Sequence, residues 1–244
     1  MPSDSVGAYD LPERVRRYDA DMDIMHPLRL KMLHTACEIL PFPTEQALSA
    51  LDLGTGTGVF TQRFLNAYPA SHVIALDGAT AMLELAKTRL GELASRVEWV
   101  EADFLNMPAT ILQSDRYDVI FSSYALHHLD AQQKLALLSS LLPALKPGGW
   151  FLNADIVIAQ NPALEKRLQE LRVEGICQRA AKGDKRFESR ETTRAYLDAM
   201  EAAEHDQPQT LQSDLQILRE AGLENAEVFW RHYREVVAGG SRSI

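Results

Sequence analysis

The chain is short of cysteine, of positive charge and of long apolar runs, and each shortage removes a class of function. Its two cysteines, Cys37 and Cys177, lie far apart and without metal-ligand spacing. A disulfide between them has no support, so two free thiols in a reduced, cytoplasmic setting are expected, and no metal site. No apolar run approaches the ~20 residues that a membrane span needs, and the opening Met-Pro-Ser-Asp-Ser lacks the charged-then-apolar order of a signal peptide. A formal net charge of −9 repels phosphate backbones and weighs against nucleic acid as a partner. Lys182, Lys185, Arg186, Arg190 and Arg194 are the best candidate for a basic patch. Asp184, Glu188 and Glu191 are interleaved with them, which favours a solvated helical surface. Internal repeats and low-complexity tracts are absent too, and 244 residues suit one α/β domain with an insertion.

What is present centres on Leu51-Asp52-Leu53-Gly54-Thr55-Gly56-Thr57-Gly58. An apolar strand pattern runs into three alternating glycines, and Val59, Phe60 and Phe64 then begin a helical pattern. Glycines at such a turn let the backbone bend sharply and approach a ligand where a β-carbon would collide. The dinucleotide fingerprint G-x-G-x-x-G would require glycine at position 59, where Val59 stands. About 20 residues on, the run Val73–Leu76 ends in Asp77, an acidic position that takes a ribose diol in doubly wound folds. A third strand pattern, Val97–Glu101, leads to Ala102-Asp103-Phe104. A fourth, Tyr117–Phe121, leads to Ser122-Ser123-Tyr124-Ala125-Leu126-His127-His128, and Leu145-Lys146-Pro147-Gly148-Gly149-Trp150 turns into a fifth.

This ordered series closely resembles the class I S-adenosylmethionine (SAM)-dependent methyltransferases, of the type 11/12 methyltransferase domain. The resemblance implies a Rossmann-like α/β fold, a mostly parallel seven-stranded sheet with an antiparallel last strand, plus a helical lid insertion. It implies SAM as cofactor and S-adenosylhomocysteine as product. Gly54, Thr55 and Gly56 would contact the methionine and ribose portions, and Asp52 would hold the ammonium directly or through water. Asp77, with Gly78 beside it, would take the ribose hydroxyls. Asp103 would accept from the adenine amino group, the Phe104 amide would reach a ring nitrogen, and Met82 would pack on the purine. Ser123 would line the methionine side through its backbone. His127 and Asp155 are the candidate catalytic bases, with His127 ahead of His128. A base is needed only where the acceptor must lose a proton, because methyl transfer is chiefly a matter of alignment.

Four segments follow. Residues 1–46 read as helices over the cofactor pocket, with Val15, Tyr18 and Met22, then Leu30, Leu33, Cys37 and Leu40, at helical spacing. Tyr9, Tyr18, His26 and Arg29 are its polar candidates. Residues 47–158 alternate strand and helix as a SAM-binding core. Residues 159–212 read as a helical insertion opened by Asn161-Pro162, with an apolar stripe at Leu164, Leu168 and Leu171. That stripe suits a lid over the substrate or, equally, a homodimer interface. Residues 213–244 supply the last helix, starting at Ser213, and a closing hairpin at Ala226–Arg231 and Arg234–Ala238. Thr80 is the expected N-cap of the helix after Asp77, and Trp150–Ile158 the expected central strand. The expected activity is methyl transfer from SAM to a small-molecule acceptor. A weaker resemblance to carboxy-SAM synthase, an enzyme serving tRNA wobble-uridine modification, is one alternative. Ile217 stands where carboxy-SAM binders of that subgroup carry arginine, which favours ordinary SAM. A non-enzymatic SAM-binding protein is the other.

Overall fold

A computed structural model describes Gly7, Tyr9 and residues 12–244; the opening stretch that bears on a signal peptide lies outside these residues. The described chain begins with helices α1 (Pro12–Met25) and α2 (Arg29–Glu38). Strand β1 (Ser49–Leu53), helix α3 (Val59–Ala67), β2 (His72–Asp77), α4 (Thr80–Leu90), β3 (Val97–Glu101) and β4 (Tyr117–Ser123) follow. Next come α5 (Ala131–Leu141), β5 (Leu145–Ile156), α6 (Pro162–Arg179), α7 (Arg190–Ala203) and α8 (Leu211–Glu220). Strands β6 (Glu224–His232) and β7 (Glu235–Ser241) close the fold.

The residues of β1 explain the layering. Ala50 faces one hydrophobic cluster, with Met32, Leu33, Phe60 and Phe64 from α2 and α3. Leu51 and Leu53 face the other, with Leu137, Leu141, Ile217 and Leu218 from α5 and α8. A strand apolar on both faces can only be central, which is the reason for a parallel sheet sandwiched between helices. The sheet has seven strands in the order β3-β2-β1-β4-β5-β7-β6. Its first five are parallel neighbours, and β7 alone runs antiparallel, between β5 and β6. Among the described residues no helix is long and apolar enough to cross a membrane.

Several boundaries differ from those read in the sequence, each for a local reason. Helix α4 is capped by extended Ala79, and Thr80 is its first helical residue. Helix α8 starts at Thr210, whose hydroxyl accepts from the Ser213 amide, so Ser213 is already inside it. Strand β5 starts at Leu145, but its pairing jumps from Leu145 opposite Tyr117 to Trp150 opposite Val119, looping out Lys146–Gly149. Leu30 and Leu164 are exposed, at 51% and 50%; the buried face of α6 is Leu168, Val173 and Ile176 instead. The basic cluster is only in part a helical surface: Arg190 and Arg194 lie on α7, and Lys182, Lys185 and Arg186 lie before it. Arg186 lies in the loop between α6 and α7, donating from both terminal nitrogens to Asp21 at 2.8 Å and also to Asp184. The Asn161 cap, the Gly91 stop and the Asp130–Gln133 capping box all form.

The antiparallel insertion of β7 demands close approach. A Cβ at Gly239 would lie 2.1 Å from the Phe151 carbonyl oxygen and 2.8 Å from Leu152 Cδ2. Gly239→Ala is therefore expected to lower stability by about 1–3 kcal/mol through overpacking. Thermal and urea unfolding check this, and an unchanged midpoint would show that β5 and β7 can separate at no cost.

Candidate active site

The glycine turn after β1 opens a cavity at the carboxyl edge of the sheet. Gly54, Gly56 and Gly58 all have positive φ, at 71°, 54° and 77°. A Cβ at Gly54 would fall 2.6 Å from Ala125 Cβ, and one at Gly58 would fall 2.9 Å from Ala86 Cβ, so these two glycines serve packing. A Cβ at Gly56 would meet nothing within 4 Å. Its backbone is bared to a cavity lined by residues from the ends of four strands and from the N-terminal helices.

Asp77 sits where β2 ends and joins two turns: one carboxylate oxygen accepts from the Gly56 amide at 2.7 Å, the other from the Ala79 amide at 2.9 Å. Asp103 accepts from the Leu105 amide at 2.9 Å and so starts the short turn that carries Phe104. Gly54, Thr55, Gly56, Asp77, Gly78, Met82, Asp103, Phe104 and Ser123 all line the one cavity. Asp52 does not line it but lies fully buried beneath the turn. One of its carboxylate oxygens accepts from the Thr55 and Thr61 hydroxyls at 2.8 and 2.6 Å. The other has no hydrogen-bond partner. Burial outweighs the two hydroxyls and lifts the Asp52 pKa to about 7.

The N-terminal helices supply the facing wall. Tyr9, Tyr18 and Arg29 line the cavity, whereas His26 is turned away and pairs with Glu235 at 2.8 Å. Arg29 is buried; its Nη2 donates to Asp19 at 3.1 Å, and its Nε has no partner. The two base candidates form a buried pair behind the cavity. His127 Nδ1 is 2.6 Å from Asp155, and its backbone amide donates to the same carboxylate. Burial disfavours the imidazolium, but Asp155 and Asp206 outweigh it and raise the His127 pKa to about 10. The two carboxylates thus favour the protonated form of His127, which works against its acting as a base. The cavity wall instead carries His128, whose pKa is lowered by burial and by its charged neighbour.

Residues 50–149 match the family described as the methyltransferase domain. The demethylmenaquinone methyltransferase of Leptospira interrogans is 35% identical over 117 residues, covering 47% of this chain and 45% of its own length. The carboxy-S-adenosyl-L-methionine synthase of Nautilia profundicola is 23% identical over 181 residues, 74% of this chain and 71% of that protein. The pyocyanin biosynthetic protein PhzM superposes with a TM-score of 0.66 at 19% identity, over 98% of this chain and 62% of that one. Over residues 50–149 the chain is similar to the class I SAM-dependent methyltransferases. It spans about half the length of the Leptospira relative.

Sequence reading missed Asp206 and Glu204, which follow His128 by more than 70 residues and meet it only through the fold. Nothing in their local pattern marks them. Tyr124 was quoted in the fourth motif, but its hydroxyl bond to Glu235 at 2.8 Å depends on β7 being placed beside β5.

Asp52 makes a pH-dependent stability prediction. Its folded pKa of about 7 lies above the ordinary 3.8, so its contribution is full below about pH 4 and is lost as pH rises through 7. Asp52→Asn should remove that loss and raise the melting temperature at pH 8, relative to the parent, by at least about 2 °C, with little difference at pH 4. Parallel melting-temperature profiles for the two proteins across pH 4–8 would show that Asp52 ionises normally.

Proposed function

We propose that this chain binds SAM and transfers its methyl group to a small-molecule acceptor. The observation that carries this reading is a pair of buried charged groups with an unpartnered atom each, Arg29 in the wall of the cavity and Asp52 beneath the glycine turn that borders it. A buried polar atom without a partner costs about 1–3 kcal/mol, so each is a position that a ligand completes. Opposite charges at one cavity suit a zwitterion: Arg29 would take the methionine carboxylate and Asp52 the ammonium. Asp77 would accept from the ribose hydroxyls while keeping its amide bonds, and Asp103 with the Phe104 amide would hold adenine, packed by Met82. When bound, SAM supplies a sulfonium-activated methyl group. The protein's part is to align the acceptor and exclude water. His127 and Asp155 would act as a fixed ion pair that shapes the wall and not as proton acceptors. The net charge of −9 supports an uncharged or cationic small acceptor over nucleic acid.

The second reading is a carboxy-SAM enzyme. It is favoured by a match that extends over 71% of its relative's length, beyond the glycine-turn core. Mass spectrometry of the copurified cofactor separates the two, since a carboxylated sulfonium substituent adds a fixed mass. Release of S-adenosylhomocysteine dependent on an added acceptor separates an enzyme from a simple binder.

Calorimetry should show binding of SAM and S-adenosylhomocysteine and none of NAD, since Val59 stands where a dinucleotide site needs glycine. Asp77→Ala should weaken SAM binding about ten-fold or more, because charge-assisted bonds to the ribose are worth roughly 1.5–3 kcal/mol each before water replaces part of them. NAD binding without SAM binding would end this reading. Unchanged SAM affinity in folded Asp77→Ala would reduce Asp77 to an anchor of the two turns.

We infer further that residues 159–212 and the N-terminal segment act as one cap. Arg186 grips Asp21, and Arg179 donates to the Ile24 carbonyl at 2.7 Å, so the insertion rests on α1. Tyr18 and Met22 of α1 in turn line the cavity. Adding S-adenosylhomocysteine at constant protein concentration should raise hydrogen-exchange protection in both segments together. Protection that follows protein concentration instead would make the insertion a dimer interface.

A further inference from the structure

We propose that His127, His128 and Asp206 form a binding site for one divalent first-row transition-metal ion of the zinc or iron(II) type. Spacing in the sequence gave no sign of one, because the third member comes from the loop after α7. Asp206 Oδ1 lies 3.0 Å from His128 Nδ1 and 3.5 Å from His127 Nε2. The three donor atoms are all within 4.8 Å of one another. Metal bonds of about 2.0–2.1 Å in tetrahedral geometry separate ligand atoms by roughly 3.3–3.4 Å, and in octahedral geometry by roughly 2.9 Å. The two separations from Asp206 lie either side of the tetrahedral value and above the octahedral one.

Hydrogen bonding points the same way. His128 Nδ1 and Asp206 Oδ1 are buried and make no hydrogen bond with each other or with any other described residue, despite their proximity. They are close but misaligned, as two ligands aimed at one ion are. The outer nitrogens of both rings are occupied. His127 Nδ1 donates to Asp155 Oδ1 at 2.6 Å, which turns Nε2 inward, where it becomes a ligand atom on giving up its proton. The Tyr9 hydroxyl donates to Glu204 at 2.9 Å, so its oxygen accepts from His128 Nε2 at 3.2 Å, and His128 Nδ1 is left with its lone pair. Metal-bound histidines are held in this way, the other ring N–H given to a carboxylate or another acceptor. A bound ion would displace any proton on His127 Nε2.

Two imidazole nitrogens and one carboxylate oxygen favour zinc, iron(II), cobalt or manganese over magnesium and calcium, which prefer all-oxygen sites. Three protein ligands leave open coordination positions. His128 lines the large cavity, while His127 and Asp206 line a second one of about 360 Å³, so the ion would stand in the wall between them. Its open positions suit a small molecule with an oxygen donor. The site itself does not rest on the methyl-transfer reading.

The test is calorimetric titration of the chelator-treated full chain with zinc and, separately, with magnesium, alongside elemental analysis of the dialysed protein. One zinc per chain and no magnesium response are expected. Asp206→Asn and His128→Gln should each weaken zinc binding at least 100-fold, and Asp155→Asn, which only orients His127, by 10–100-fold. Variants Cys177→Ser and His34→Asn, at sites that could bind zinc adventitiously, should change nothing. Zinc binding that survives Asp206→Asn unchanged, or that is lost with Cys177 or His34, would overturn the proposal, as would no stoichiometric binding. Should the ligand variants fail to fold, cobalt(II) in the unsubstituted protein decides. Paramagnetically shifted ring protons from two histidines support the site, and none, or one, overturn it.

Discussion

The carboxylate of Asp77 holds together the edge of the sheet on which everything functional is built. By accepting from the amides of Gly56 and Ala79 it joins the turn after β1 to the turn after β2. Parallel strands deliver both turns to the same edge, but nothing in a β-ladder fixes how two successive loops sit relative to one another. Asp77 does so with two charge-assisted bonds. Gly56 can then stay in its left-handed conformation with its backbone open to the cavity, and Thr55 folds back over Asp52. Without the bridge the glycine turn would keep its backbone bonds from Gly54 and Thr55 to the Leu76 carbonyl but lose its tie to the turn after β2.

A second constraint is the number of charges taken out of water. Asp52, Arg29, His127, Asp155, Lys134 and Asp214 are all buried. A buried charge is tolerable when paired, and most of these are: Lys134 donates to Asp214 at 2.7 Å, holding α5 against α8, and Asp155 is bound to His127. Pairing of that kind is scaffold. One oxygen of Asp52, one nitrogen of Arg29 and the inward atoms of His128 and Asp206 are left incomplete beside the two adjoining cavities, as are atoms of Asn153, Arg194 and Gln209 away from them. A missing partner points to a ligand only where a cavity adjoins it, and residue type alone does not make that distinction.

That distinction also explains what could be read from the sequence. The motifs at Gly54, Asp77 and Asp103 were legible because each lies at the end of its own strand, and strand order in a parallel sheet brings strand ends together automatically. Element types were legible for the same reason, periodicity being local. The stripe on α6 was misplaced by one turn because Leu164 looks apolar in sequence, yet the underlying surface begins only at Leu168. His127 looked like a base because a histidine past the fourth strand sits near the reacting centre. Its real character comes from Asp155 and Asp206, one of them on another strand and the other on a distant loop, and no local pattern carries that information.

The placement of α1 ties the two cavities to each other. Tyr9, Tyr18 and Met22 line both, with Tyr124 on the opposite side common to both as well. Tyr124 is held in a left-handed conformation, φ 48°, at the end of β4, and its hydroxyl is bonded to Glu235. That wall is consequently rigid, anchored in the sheet. The facing wall is a helix tied to the insertion by arginine contacts and by a shared apolar cluster that includes Met22, Met25, Val173, Ile176 and Phe187. A ligand that filled the larger cavity would bear against Tyr18 and Met22, the same side chains that bound the smaller one. Any effect of one occupant on the other through them would run in both directions.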